Sequence, residues 1–192
     1  MKKDAPRKAA FNLPNSLTLF RLACIPAVLI CLYFPGKLGS FLAALFFGTA
    51  FVTDLLDGFF ARRRGDVTKL GKFLDPMADK ILVSVTMIML IPLGRIPAWI
   101  VMLIVAREMA VTGLRGIAVM EGTVMQASSL GKYKTFFQSL ATAFLCLHYK
   151  YIGLNFHKVG MVLLWAALIF TLWSAWAYFK EFYRVLLPRN PS

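Results

Sequence analysis

Negative charge is scarce in this 192-residue chain. Nine Asp and Glu stand against 22 Lys and Arg, for a net charge of +13. On a water-soluble protein that imbalance would point to nucleic acid. Charge of either sign is thin as well, at 16% of residues. Histidine occurs twice and cysteine three times. Cys24, Cys31 and Cys146 lie in apolar stretches, with no C-x-x-C spacing and no histidine pair nearby. That pattern excludes a disulfide framework and a Cys/His metal site, and the thiols read as small buried hydrophobes. No internal repeat and no low-complexity linker is present.

Apolar side chains fill the space that charge leaves, at 59% of the chain. With the 13 glycines the fraction reaches about 66%, against roughly 45–50% in a soluble domain. Mean hydropathy is +0.67. A 21.5 kDa globule has too little interior to hide that much apolar surface. Disorder, a fibrous protein and a nucleic-acid-binding globule are therefore excluded, and no nucleic-acid partner is expected. The reading is a single all-α integral membrane domain over residues 1–192. Its cations flank the spans and meet anionic membrane lipids.

Charge-free intervals locate six spans: 22–36, 38–53, 81–94, 96–106, 135–149 and 159–179. Only the last reaches the ~20 residues that cross a hydrocarbon core alone. The others must extend into charged flanks, giving helices over roughly 17–35, 38–63, 70–92, 97–121, 131–150 and 157–185. Turn residues separate them: Pro35 with Gly36, Gly65, Pro92 with Gly94, Gly122 and Gly153. Eighteen cations then fall on one side and four (Lys37, Arg95, Lys150 and Lys158) on the other. The positive-inside bias puts both termini and the 54–80 segment in the cytoplasm, so the expected location is the cell inner membrane. Residues 1–16 form a basic segment read as uncleaved. A short interfacial helix is expected over 11–19, with Asn15 or Ser16 as its N-cap. His148 and His157 fall by the far loop, and Trp165, Trp173 and Trp176 read as packing and belt residues.

Of the nine acids, Asp54, Asp57, Asp75 and Asp79 fall in two helix-spaced pairs. Carboxylates at membrane depth each cost about 2.5 kcal/mol or more, which makes a functional role the default. Asp54 and Asp57 are spaced i, i+3, and Asp75 and Asp79 i, i+4, so each pair shares a face of its helix. A turn at Gly65 would bring the two helices side by side. Four ionised carboxylates at close quarters need a counter-ion. An oxygen-only ligand set suits a hard cation such as Mg²⁺ or Mn²⁺, and two such ions form the recurring clamp of phosphoryl chemistry. Gly58, Ala61 and Gly71 leave room for a ligand or for close backbone approach. Pro76 should disturb its helix.

Cations surround the acids. Arg62 ends the acidic helix. Further on, Glu108, Thr112 and Arg115 share a face, Arg107 adjoins them, and Lys132 and Lys134 open the fifth span. An embedded arginine needs a partner, and an anionic ligand or an Arg–Glu pair would each serve.

These residues also spell a pattern. From Asp54 to Asp79 the chain reads D-x-x-D-G-x-x-A-R-x8-G-x-x-x-D-x-x-x-D. It resembles the signature of the CDP-alcohol phosphatidyltransferases without a mismatch. The opening run with Asn12, Pro14, Asn15, Thr18 and Arg21 extends the likeness. So do the stretch 107–115 and the stretch from Gly131 through Lys132 and Lys134 to Gln138. These look like the bacterial branch that uses sn-glycerol 3-phosphate. The resemblance implies six transmembrane helices, a homodimer, and transfer of a phosphatidyl group from CDP-diacylglycerol to sn-glycerol 3-phosphate with release of CMP. It implies that Asp54, Asp57, Asp75 and Asp79 hold two divalent ions and that Asp79 is the catalytic base. Asn15, Thr18, Asp54, Gly58, Ala61, Arg62 and Gly71 would bind the CDP-lipid. Arg107, Arg115, Lys132 and Lys134 would hold the acceptor phosphate.

Rival readings remain distinguishable. Inositol phosphate, serine or phosphatidylglycerol as acceptor would keep the family and change the product. A membrane prenyltransferase also uses paired Asp motifs, but with more spans than this length allows. A cation transporter would be expected to scatter its acids near the midplane, often within a repeat.

Overall fold

In the computed structural model the described residues are 13–34, 36–64, 69–120 and 129–186. Side chains are described over 18–34, 36–55, 77–120 and 133–183. Six helices lie among them: α1 Leu13–Tyr33, α2 Lys37–Arg64, α3 Lys69–Leu90, α4 Ala98–Met120, α5 Ser129–Leu147 and α6 Phe156–Leu186. At 1.5 Å rise per residue even the 19-residue α5 is ~28 Å long, close to the hydrocarbon thickness of a bilayer. By length and composition together, two segments qualify as membrane spans, Lys37–Leu55 and Phe156–Tyr183, while Thr18–Tyr33 is a shorter apolar helix. The other helices reach their length by taking in charged flanks, as the charge-free intervals require.

The chain divides into two compact units, Met1–Thr86 and Met87–Ser192. In the first, α1 packs on α2. Cys24, Val28 and Leu32 recur every four residues along the buried face of α1, and Ala43, Ala44, Phe47 and Ala50 are buried on α2. The connection is tight. Gly36 has φ +142°, and a Cβ on Gly39 would stand 2.6 Å from the Cys31 carbonyl oxygen and closer still to that of Phe34. One expectation is overturned here. Among the described residues the stretch 13–19 is part of α1, which begins at Leu13, and is not a helix of its own, so Asn15 and Ser16 lie inside α1 and are not its N-cap. Pro14 explains the earlier start: in a first turn its missing N–H costs no bond and its fixed φ suits the helix. The helical backbone of α3 also runs through Pro76 without interruption. Gly65 and Gly122 lie outside the described residues.

In the second unit α5 and α4 both pack on α6. Gly160, Leu164, Ala167, Leu168, Thr171, Ser174 and Tyr178 form the buried stripe of α6. Val162, Trp165, Ile169, Trp173 and Trp176 are exposed on its other side. Small and hydroxylated residues face inward and large apolar ones outward, the arrangement of helices packed in lipid. Two of the buried hydroxyls bond within their own helices: Thr142 donates to the Gln138 carbonyl at 2.8 Å and Ser174 to that of Thr171 at 3.1 Å. The tryptophans of this helix face outward, and Trp165 also packs edge-on against Trp99, with ring centres 5.6 Å apart.

At one end of this unit Arg95, only 6% exposed, donates to the Cys146 carbonyl at 2.8 Å and closes the C-terminus of α5. Where a plain turn at Gly153 is expected, the chain forms a two-stranded hairpin. β1 Lys150–Tyr151 pairs antiparallel with β2 Leu154–Asn155. Ile152 (φ 50°) and Gly153 (φ 78°) make the turn, the positive-φ pair of a type I′ connection. Isoleucine is an uncommon residue there, which is why the hairpin leaves no sequence signal. Asn155 then accepts the Lys158 N–H at 3.2 Å and caps α6.

Candidate active site

In the first unit α2 carries Asp54 and Asp57 one turn apart, and α3 carries Asp75 and Asp79 in the same relation. Asp54 is half-exposed and meets Arg21 of α1, with Nη1 2.9 Å from Oδ1. Arg21 is 1% exposed. Thr18, one turn earlier on α1, is also buried. Arg21 therefore fixes the Asp54 carboxylate and supplies a positive charge beside the first acid of the motif. A shallow groove of about 370 Å³ along α2, lined by Ala44, Leu45, Gly48, Thr49, Val52 and Thr53, ends one residue before Asp54.

Asp79 is half-buried on α3. The side chains of Asn15, Asp57, Gly58, Ala61, Arg62, Gly71, Asp75 and Lys132 lie outside the described ones; their backbones are helical at the expected positions. Among the described side chains no three His, Cys, Asp or Glu gather as a metal site. Asp54 and Asp79 are the two members of the acidic set that are described. As hard oxygen donors both fit a divalent cation of the Mg²⁺ or Mn²⁺ type.

The second unit assembles cations. Glu108 on α4 is 14% exposed and accepts from Arg107 Nη1 at 3.0 Å and, in close contact, from Lys134 Nζ of α5. The other terminal nitrogen of Arg107, Nη2, donates to Ser174 Oγ of α6 at 2.5 Å. Arg115 Nη2 donates to the Tyr178 hydroxyl, and its guanidinium carbon lies 4.6 Å from the Tyr178 ring centre. The Arg107 guanidinium carbon lies 5.8 Å from the same ring. The Nε atoms of Arg107 and Arg115 are buried with no hydrogen-bond partner. Among the described side chains three cations meet one carboxylate here, a surplus of positive charge, and two buried donors have no acceptor. Such a cluster is suited to an anion. Arg107, Arg115 and Lys134 are thus brought into one cluster through Glu108 and Tyr178.

The sequence profile described as CDP-alcohol phosphatidyltransferase matches residues 11–173. The chain belongs to the CDP-alcohol phosphatidyltransferase family. Individual relatives agree end to end. The chain is 41% identical over 192 residues to the CDP-diacylglycerol–glycerol-3-phosphate 3-phosphatidyltransferase of Bacillus subtilis (strain 168), covering 94% of this chain and all of that protein. It is 39% identical over 170 residues to the protein of the same name from Rickettsia bellii (strain RML369-C), covering 88% of this chain and 94% of the relative. A Shigella flexneri serotype 5b (strain 8401) protein, again of that name, is 39% identical over 174 residues, covering 88% and 93%.

Three residues that touch the acids or the cations within their own units escape sequence reasoning. Arg21 is brought to Asp54 by the packing of α1 on α2. Ser174 and Tyr178 sit in the most apolar span, 67 and 63 residues from Arg107 and Arg115. The signal that could have found them is their i, i+4 spacing on a face otherwise made of small and aliphatic residues.

Proposed function

We propose that this protein transfers the phosphatidyl group of CDP-diacylglycerol to sn-glycerol 3-phosphate, giving phosphatidylglycerophosphate and CMP, as a step of phospholipid synthesis. The observation that carries this reading is the 41% identity over 94% of the chain to a relative named for that reaction, with the acidic signature intact. The surplus positive charge around Arg107, Arg115 and Lys134 supports a phosphorylated acceptor over an uncharged or zwitterionic one.

The acceptor hydroxyl oxygen attacks the phosphorus that carries the lipid. A new P–O bond forms as the bond to CMP breaks, and the hydroxyl proton passes to the Asp79 carboxylate. Arg107, Arg115, Lys132 and Lys134 hold the acceptor's phosphate. Asn15, Thr18, Gly58, Ala61, Arg62 and Gly71 hold the nucleotide end of the donor, and the groove along α2 offers room for an acyl chain. Asp54, Asp57, Asp75 and Asp79 would hold two Mg²⁺ or Mn²⁺ ions. Bound there, the ions would neutralise charge developing on the leaving phosphate. All six helices span the inner membrane, both termini are cytoplasmic, and the protein works as a homodimer. A lipid donor can then stay in the bilayer while a soluble acceptor enters from the cytoplasm.

The test is CMP release by the purified protein in detergent–lipid micelles with CDP-diacylglycerol and Mg²⁺ or Mn²⁺. The acceptors are glycerol 3-phosphate, inositol 1-phosphate and serine. Release with glycerol 3-phosphate alone is expected, with a loss in Asp79→Asn of at least about a hundredfold and none without divalent cation. Release with a different acceptor would overturn the substrate. Divalent transport without CMP release would overturn the enzyme.

A further inference from the structure

The two arginines of the cationic cluster do not stand on α4 alone; they rest on one face of α6. Ser174 and Tyr178 are successive turns of that helix, and both are buried, at 0% and 2% exposure. The Ser174 hydroxyl spends its only proton on the Thr171 carbonyl, so toward Arg107 Nη2 it can only accept. The Tyr178 oxygen accepts from Arg115 Nη2. Its ring also lies beneath both guanidinium groups, and a ring face attracts cations. Two like charges held over one ring repel each other, and that cost is recovered only if something uses the arrangement. Meanwhile the Nε of each arginine is buried without a partner. Both terminal nitrogens of Arg107 and Nη2 of Arg115 are thus spent on fixing orientation, while neither Nε has an acceptor.

We propose that Tyr178 is a positioning residue for the acceptor site. It holds Arg107 and Arg115, with Ser174 bracing Arg107, in the orientation that receives the acceptor's phosphate. This rests on the reading of the cluster as the acceptor-phosphate site. The aromatic ring gives most of the effect and the hydroxyl the remainder. Tyr178 also packs with Val111, Ala118 and Phe182, so a purely structural role would show equally in replacements of those neighbours.

The experiment compares the full-length protein with Tyr178→Phe, Tyr178→Leu, Ser174→Ala and Val111→Ala in detergent–lipid micelles. KM is measured for each substrate in turn, along with the rise in Tm caused by inorganic phosphate at constant ionic strength. Tyr178→Leu should raise the KM for glycerol 3-phosphate on the order of tenfold while the KM for CDP-diacylglycerol stays put. Tyr178→Phe and Ser174→Ala should raise it about two- to fivefold, and Val111→Ala should leave it unchanged even if Tm falls. The phosphate-induced rise in Tm should vanish in Tyr178→Leu. A parallel rise in both KM values, a fall in kcat alone, or an equal effect of Val111→Ala would overturn the proposal. If the wild-type protein releases no CMP with any acceptor, the proposed reaction fails and the phosphate effect alone decides. Its loss in Tyr178→Leu supports the positioning role; its persistence there, or its absence from the wild type, overturns it.

Discussion

At the scale of single residues, the strained position is Ile152. It is fully exposed at the hairpin tip with φ 50°. A β-branched residue in the left-handed region costs on the order of 1–2 kcal/mol. Asparagine tolerates that conformation, so Ile152→Asn should stabilise the protein by about 1 kcal/mol. Thermal unfolding in detergent would read this as a higher Tm, and a lower Tm would mean that Ile152 makes a contact worth more than its strain. Its neighbour His148 carries a different liability. It follows the end of α5, outside the helix, with φ 55° and an Nδ1 that is buried without a partner. Burial lowers its pKa below the ordinary 6.5, helped by the Arg95 guanidinium and by His157, whose ring centre is 4.9 Å away. The unfolded chain therefore takes up the proton first. Stability is complete above pH 6.5 and falls as pH drops from there toward the folded value. His148→Asn keeps the left-handed backbone and removes the proton uptake, so its Tm should depend less on pH in that window.

Residues also show where sequence reading reaches and where it stops. The spacing of Asp54, Asp57, Asp75 and Asp79 is a local property, legible because i, i+3 and i, i+4 fix the face of a helix. The meeting of Glu108 with Lys134 was half legible, since each residue stands out in an apolar setting. Tyr178 was not, because a tyrosine in an aromatic-rich span has no feature that distinguishes an arginine's support from a belt residue.

At the scale of elements, all six helices were legible from charge-free intervals and turn residues. Most boundaries fell within a few residues, and the largest error was at Pro14, read as part of a separate element. What the intervals could not give is which helices touch, because closeness is set by small residues rather than by hydropathy. Gly160 is the clearest case. A Cβ there would stand 2.7 Å from Leu145 Cγ and 3.1 Å from its backbone nitrogen. Gly160→Ala should force α5 and α6 apart and destabilise by about 1–3 kcal/mol. Combining it with Leu145→Ala should cost less than the sum of the two single changes, because the shortened side chain yields the space. Strict additivity in thermal unfolding would show that the clash is relieved by other means.

At the scale of the whole molecule, charge is more telling than hydropathy. Among the described residues two segments pass a length-and-composition test for a span, while the family match runs from residue 11 to 173 and the six-span reading divides the cations eighteen to four. Lys and Arg held near span ends set orientation, and on that ground 69–80 and 150–158 are expected on opposite sides. The prediction is that Lys158→Cys, in a chain with Cys24, Cys31 and Cys146 replaced by alanine, reacts with a membrane-impermeant maleimide added to intact cells. Lys72→Cys in the same background should react only after the membrane is opened. Labelling of both from outside would remove the cytoplasmic assignment of the acidic motif. Labelling of neither before opening would put residue 158 inside and leave an odd number of crossings between the two sites impossible. Only the split result agrees with a donor lipid and a soluble acceptor meeting at the cytoplasmic edge.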